Sequence, residues 1–94
     1  MIRSFGDGRT AAIWNGTAVT GLPFAVQAAA LIRMRYLARA MRLEDLYQPP
    51  GNRLEKLRGD RRGQYSIRVN RQWRICFRWD GRHAHEVELV DYHR

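Results

Sequence analysis

Hydrophobic and polar positions alternate strictly through the second half of the chain. Tyr65, Ile67 and Val69 fall on one side of an extended backbone, with Gln64, Ser66 and Arg68 on the other. Trp73, Ile75, Phe77 and Trp79 then alternate with Arg74, Cys76 and Arg78. Successive side chains leave a strand on opposite faces, so this pattern predicts strands over 64–69 and 73–79 that are buried on one face only. The buried face is expected to be aromatic and β-branched, and the exposed face arginine-rich. Asp80-Gly81 is a hairpin dipeptide. Beyond it, Val87 and Leu89 alternate with Glu86 and Glu88 and predict a closing strand over 83–90. Leu54 and Leu57 outline another strand over 53–57. Arg58-Gly59-Asp60-Arg61-Arg62-Gly63 is the turn after it, with at least one residue expected at positive φ.

Upstream of the breaker Gln48-Pro49-Pro50-Gly51-Asn52 the period changes. Val26, Ala30, Met34, Leu37 and Met41, joined by Leu31 and Ala38, recur at helical spacing. Pro23 suits the start of that helix, because the first turn does not need its missing N–H. The spacing predicts about five turns of helix laid on the sheet, with Arg35, Arg39 and Arg42 as a solvated flank. Asp7 to Asn15 predicts a shorter helix stopped by Gly16, and 17–21 links the two. Leu43 to Tyr47 reads as a last helical turn or an irregular bend, and 1–5 as a short first strand. Neither half is large enough to bury a core alone. The expected fold is α+β: one small domain over 1–94, with N-terminal helices packed on a mostly antiparallel twisted sheet.

Charge adds a partner to this picture. The chain has a net charge of +8, and residues 53–82 hold ten of its seventeen cations against Glu55, Asp60 and Asp80. Only Lys56 is lysine. Arginine forks suit bidentate phosphate contacts and stacking on bases. Because GC-rich coding favours Arg and Ala alike, the placement of the charge carries more weight than the Arg/Lys ratio. A polyanionic partner is expected. No apolar run approaches ~18 residues and no charged-then-apolar leader opens the sequence, so a cytoplasmic protein without membrane association is expected. A single cysteine, Cys76, fits a reducing compartment.

Candidate chemistry narrows quickly. His83, His85 and His93 with Cys76 lack the paired close spacing of a zinc site, and no phosphate-cradling glycine loop is present. Neither a metal nor a cofactor is expected. Cys76 reads as a buried strand cysteine rather than a nucleophile. Asp91-Tyr92-His93 sets three proton-transfer or hydrogen-bonding groups directly after a strand. On composition alone these residues read as a frayed tail; that reading weakens if the closing strand is central in the sheet, because the tail is then held against the basic face.

The run R-L-E-K-L-R-G-D-R-R-G-Q-Y-S-I-R-V-N at 53–70, then W-R-I-C-F-R-W at 73–79 and V-D-Y-H at 90–93, resembles the HigB branch of the RelE/ParE toxin superfamily. The opening M-I-R-S-F and the T-G-L-P before the long helix are similar too. The resemblance implies a RelE-like microbial RNase fold and the toxin of a type II toxin–antitoxin pair. It further implies a metal-independent endoribonuclease that cuts messenger RNA on the ribosome, with the RNA's own 2′-hydroxyl as nucleophile. The implied partners are the ribosome with its messenger, a HigA-like helix-turn-helix antitoxin and, through the toxin–antitoxin complex, operator DNA.

Carried over by position, the resemblance assigns Arg58, Arg74, Asp91, Tyr92 and His93 to the catalytic set. Arg58 stands where family members more often have lysine. Glu55 stands where some have a histidine, so the proton-transfer role passes to a carboxylate. In-line attack needs a base, an acid for the leaving 5′-oxygen and cations for the phosphorane charge. Asp91 or Glu55 is available as base, His93 as acid, and Arg58 and Arg74 for the charge, while Tyr92 stacks on or orients a base. Arg53, Lys56, Arg61, Arg62, Arg68 and Arg78 are expected to contact RNA or the ribosome. Two other functions remain open at this stage: a ParE-like inhibitor of DNA gyrase, and an inactive module that binds RNA or antitoxin.

Overall fold

Helices α1 (Gly8–Trp14) and α2 (Phe24–Arg39) pack on one face of a sheet built from β1 (Glu55–Lys56), β2 (Tyr65–Arg68), β3 (Trp73–Trp79) and β4 (Ala84–Asp91). The computed structural model describes residues 1–92. The sheet is an antiparallel meander in the order β1-β2-β3-β4, so each strand pairs with its neighbour in sequence. Its inner face follows the alternation. Ile67 stands opposite Ile75, Ile75 opposite Leu89, and Tyr65 opposite Phe77. Ile67, Ile75, Phe77 and Val87 are fully buried against Val26, Ala30, Met34 and Leu37 of α2.

Each helix begins where its capping chemistry dictates. The carboxylate of Asp7 accepts the N–H of Thr10 at 2.8 Å and caps α1, satisfying one of the orphan donors of the first turn. Pro23 precedes α2. That helix stops at Arg39, short of the predicted five turns, because Asp45 competes for the chain beyond it. The Asp45 carboxylate accepts the N–H groups of Met41 and Arg42 at 2.9 and 3.0 Å and caps a 3₁₀ turn over Leu43–Tyr47. Met41, expected on the apolar stripe, therefore lies past the helix and is exposed, and Arg42 leaves the α2 flank.

Three other expectations change. Residues 1–5 do not form a full strand; Ile2 and Phe5 make isolated parallel bridges to Ala84 and Val87 of β4. The strand predicted over 53–57 shrinks to two residues, because Arg53 is left-handed (φ 44°) at the end of a 3₁₀ turn over Pro50–Asn52. The 58–63 segment turns as predicted, with Gly59 and Gly63 at positive φ. The third change matters most for function. The outer face of the sheet is not simply exposed: Ser66, Arg74 and Cys76 at its centre are buried. Among the described residues no helix is long and apolar enough to cross a membrane.

Candidate functional site

Directly paired residues of an antiparallel sheet share a face, and the register writes two rows across the outer face. One row runs Glu55, Ser66, Cys76, Glu88, and the next runs Arg68, Arg74, Val90. Around them lies a cleft of about 340 Å³ lined by Arg53, Glu55, Arg68, Asn70, Arg71, Arg74 and Tyr92. A second cleft of about 360 Å³ is lined by Glu55, Lys56, Leu57, Arg58 and Tyr92. Glu55 and Tyr92 belong to both, so they form the divide between an arginine-lined side and the Lys56/Arg58 side. The first cleft presents four arginines and one carboxylate, a field suited to a polyanion with one group left to handle a proton.

Arg74 is the buried member, 8% exposed. A guanidinium taken out of water is tolerated only when its N–H groups are paired. Here Nε donates to Ser66 Oγ at 2.6 Å, and Nη2 donates to the Arg53 carbonyl at 2.6 Å and the Ser66 carbonyl at 3.3 Å. Glu55 Oε2 is 3.9 Å from Nη2, an ion pair at the mouth of the cleft.

The end of β4 is held by the turn between β2 and β3. The Gln72 carbonyl accepts the Tyr92 N–H at 2.6 Å, and Gln72 Nε2 donates to Asp91 Oδ2 at 3.0 Å. Asn70 Oδ1 in turn accepts the N–H groups of Gln72 and Trp73, both at 2.8 Å. Asp91 and Tyr92 are thus built into the sheet rather than frayed. Asp91 pairs with Trp73, which puts it in register with the inner, helix-facing row, and it lines neither cleft. His93 lies outside the described residues.

The structure therefore gathers Arg53, Glu55, Lys56, Arg58, Arg68, Arg74 and Tyr92 and leaves other candidates apart. Arg61 is tied to Glu88 at 3.1 Å and to Gln64 at 3.1 Å. Arg78 pairs with Glu86 at 2.7 Å. Arg62 is exposed in the turn after β1 and lines neither cleft. Burial pushes the Cys76 thiol up to about 11, against the pull of Arg61, so it is not a nucleophile near neutrality. Sequence reasoning missed Ser66, Asn70, Arg71 and Gln72. The only signal for Ser66 was a small hydroxyl between Gln64 and Arg68 on the outer face. Asn70 and Gln72 could have been sought as turn residues, since Asn side chains bond their own backbone two residues on.

Comparison with known proteins bears on this arrangement. A family model described as "RelE-like toxin of type II toxin-antitoxin system HigB" matches residues 15–93. The protein named "Toxin HigB-1" from Vibrio cholerae serotype O1 (strain ATCC 39315 / El Tor Inaba N16961) is 41% identical over 58 residues. That alignment covers 62% of this chain and 61% of the relative.

Proposed function

Because the chain belongs to the HigB family of RelE-like toxins of type II toxin–antitoxin systems, we propose that it is a ribosome-dependent messenger RNA endoribonuclease that arrests translation and growth. The observation that carries this reading is the convergence of Arg74, Glu55 and Tyr92 on one cationic cleft. A phosphodiester drawn into that cleft meets a guanidinium held in place, a carboxylate beside it and an aromatic ring at the divide.

In the proposed reaction the 2′-hydroxyl attacks the adjacent phosphorus, the P–O2′ bond forms and the P–O5′ bond breaks. Glu55 takes the 2′ proton. Glu55 is preferred to Asp91, whose carboxylate is engaged by Gln72 and lines neither cleft. Arg74 stabilises the charge that builds on the phosphorane, and a guanidinium already oriented spends nothing on reorganisation as the charge grows. Arg58 contributes from the second cleft. His93, next in sequence to Tyr92, protonates the leaving 5′-oxygen. Tyr92 orients the base by stacking, and Arg53, Arg68 and Arg71 track the backbone phosphates. The partners in this reading are the ribosome with its messenger, a HigA-like antitoxin and, through their complex, operator DNA; the compartment is the cytoplasm.

An in vitro translation reaction tests this. Messenger should be cut on translating ribosomes, while the same RNA free in solution is cut poorly. Efficient cutting of naked RNA would overturn ribosome dependence, gyrase-linked DNA breaks would favour the ParE-like activity, and neither outcome would leave a binding module.

A further inference from the structure

Arg74 occupies a strand position whose alternation points it away from the core, yet it is buried. We infer that the Ser66 hydroxyl and the main-chain carbonyl of Arg53 form a guanidinium seat that aims Arg74 into the cleft, which makes Ser66 a positioning residue of the site. Its kinetic consequence rests on the nuclease reading above, but the seat itself does not.

The two anchors come from different elements and grip different nitrogens. Ser66 on β2 takes Nε at 2.6 Å, and Arg53, at the entry to β1, takes Nη2 at 2.6 Å. Two contacts at separate nitrogens of a planar group fix its plane as well as its position, because rotation about the Cδ–Nε bond breaks one of them. Arg74 stands directly opposite Arg68, with Ser66 on the diagonal of the ladder. A long side chain reaches that diagonal only by lying flat across the sheet. Ser66 is 0% exposed, so water does not compete for the bond. A lysine cannot repeat the grip, since its single nitrogen carries no fork.

Backbone conformation supports the same reading. Arg53 is left-handed (φ 44°, ψ 58°), a region that disfavours side chains larger than glycine. Strain of this kind persists where the surroundings over-determine it and gathers at functional positions. The neighbour that fixes it is Asn52, itself 0% exposed. Its Nδ2 donates to the Leu46 and Gln48 carbonyls at 3.1 and 3.2 Å, and its Oδ1 accepts from Arg33 of α2 at 2.8 Å. The carbonyl that holds Arg74 is therefore moored to the helix layer, and the guanidinium is set before any substrate arrives.

The test uses the full-length protein and two independent readouts. First, Ser66→Ala should lower kcat for messenger on ribosomes by about tenfold to a hundredfold, the usual consequence of a small misplacement. KM should stay within about twofold, and Ser66→Thr, which keeps the hydroxyl, should recover part of the rate. Second, Arg74→Ala removes the atoms that ethylguanidinium would replace. In NMR titrations ethylguanidinium chloride should shift the Ser66 and Arg53 amides of Arg74→Ala saturably, and should fail to do so in Arg74→Ala/Ser66→Ala. Equal ethylguanidinium binding with and without the hydroxyl overturns the seat, as does a Ser66→Ala enzyme with wild-type kcat. Should wild-type protein cut no RNA while the titration shows hydroxyl-dependent binding, the nuclease reading fails and the seat stands.

Discussion

At their centres the two faces of the sheet reach nearly the same degree of burial by opposite means. On the inner face Ile67, Ile75 and Phe77 are 0% exposed because a helix layer covers them. The gain is non-directional, about 25 cal/mol per Å² of apolar surface removed from water. On the outer face Ser66 and Cys76 are 0% exposed although α1 and α2 pack on the opposite side. There the cover is long polar side chains lying on the sheet: Arg74 across Ser66, and Arg61 bound to Glu88 above the Cys76 row. Apolar burial accepts exchange of shape at constant volume. A hydrogen-bonded cover fixes angles and positions and contributes little net stability. One face holds the fold together, and the other sets a geometry.

This contrast is open to direct attack. The largest effect is expected at the inner face, where Phe77→Ala should cost ~3–5 kcal/mol, read as a lower urea midpoint with an unchanged m-value. If the outer face is the working one, Glu55→Gln should slow messenger cleavage by ~10²–10⁴, the usual contribution of a positioned acid or base. Its stability should move by less than ~1 kcal/mol, since the Glu55–Arg74 pair lies at the partly exposed mouth of the cleft. A Glu55→Gln protein that unfolds before it loses activity would erase the distinction. A smaller effect is expected from Arg71→Gln at the rim: affinity for ribosomes falls and the slope of log K against log salt becomes shallower by about 1.

The smallest lies away from both clefts, at the β3–β4 hairpin. The His85 side chain, at 2.6 Å, and then the N–H groups of His83 and Arg82 hold the Asp80 carboxyl well below the usual carboxylate range. A depressed folded-state value contributes stability at pH above the unfolded value of ~3.9, and that contribution is lost as pH falls through the folded value. His85→Ala should move the Asp80 titration upward toward the ordinary value by NMR and leave cleavage unchanged. An Asp80 titration that does not move would show that the main-chain donors carry the whole shift.

Most of the fold was legible because most of it is local. Period-two alternation located β2, β3 and β4 within a residue or two, and Asp80-Gly81 marked the hairpin between β3 and β4. Where the reading slipped, a side chain acted on a distant backbone. Met41 continues the helical spacing of α2, but the Asp45 carboxylate takes its N–H and draws it out of the helix. Leu54 continues a strand-like run, but Arg53 turns left-handed before it. The site divides in the same way. Residue types exposed the basic surface, whereas Glu55 was singled out only through the resemblance to HigB-like toxins. The burial of Arg74 depends on a carbonyl 21 positions upstream, which periodicity does not encode. Asp91 was singled out by type, whereas its register opposite Trp73 gives it a place at the clasp with Gln72 rather than in the cleft.

The parallel bridges at the start of the chain acquire a second meaning beside β4. A meander leaves two unpaired borders, and an exposed strand border invites another chain to add itself. The β1 border is only two residues long. The β4 border is eight residues long and would be the hazardous one, but residues 1–6 lie along it. The Met1 and Ser4 carbonyls accept the Ala84 and Val87 N–H groups at 3.0 Å, and the Arg3 and Gly6 N–H groups donate to the Ala84 and Val87 carbonyls at 2.8 Å. Glu86, at φ 53°, bends the same border between those two grips. The opening segment therefore works as a selvedge: it closes the weave on the side where self-association would begin, and a partner seeking to extend the sheet there would first have to unpick it.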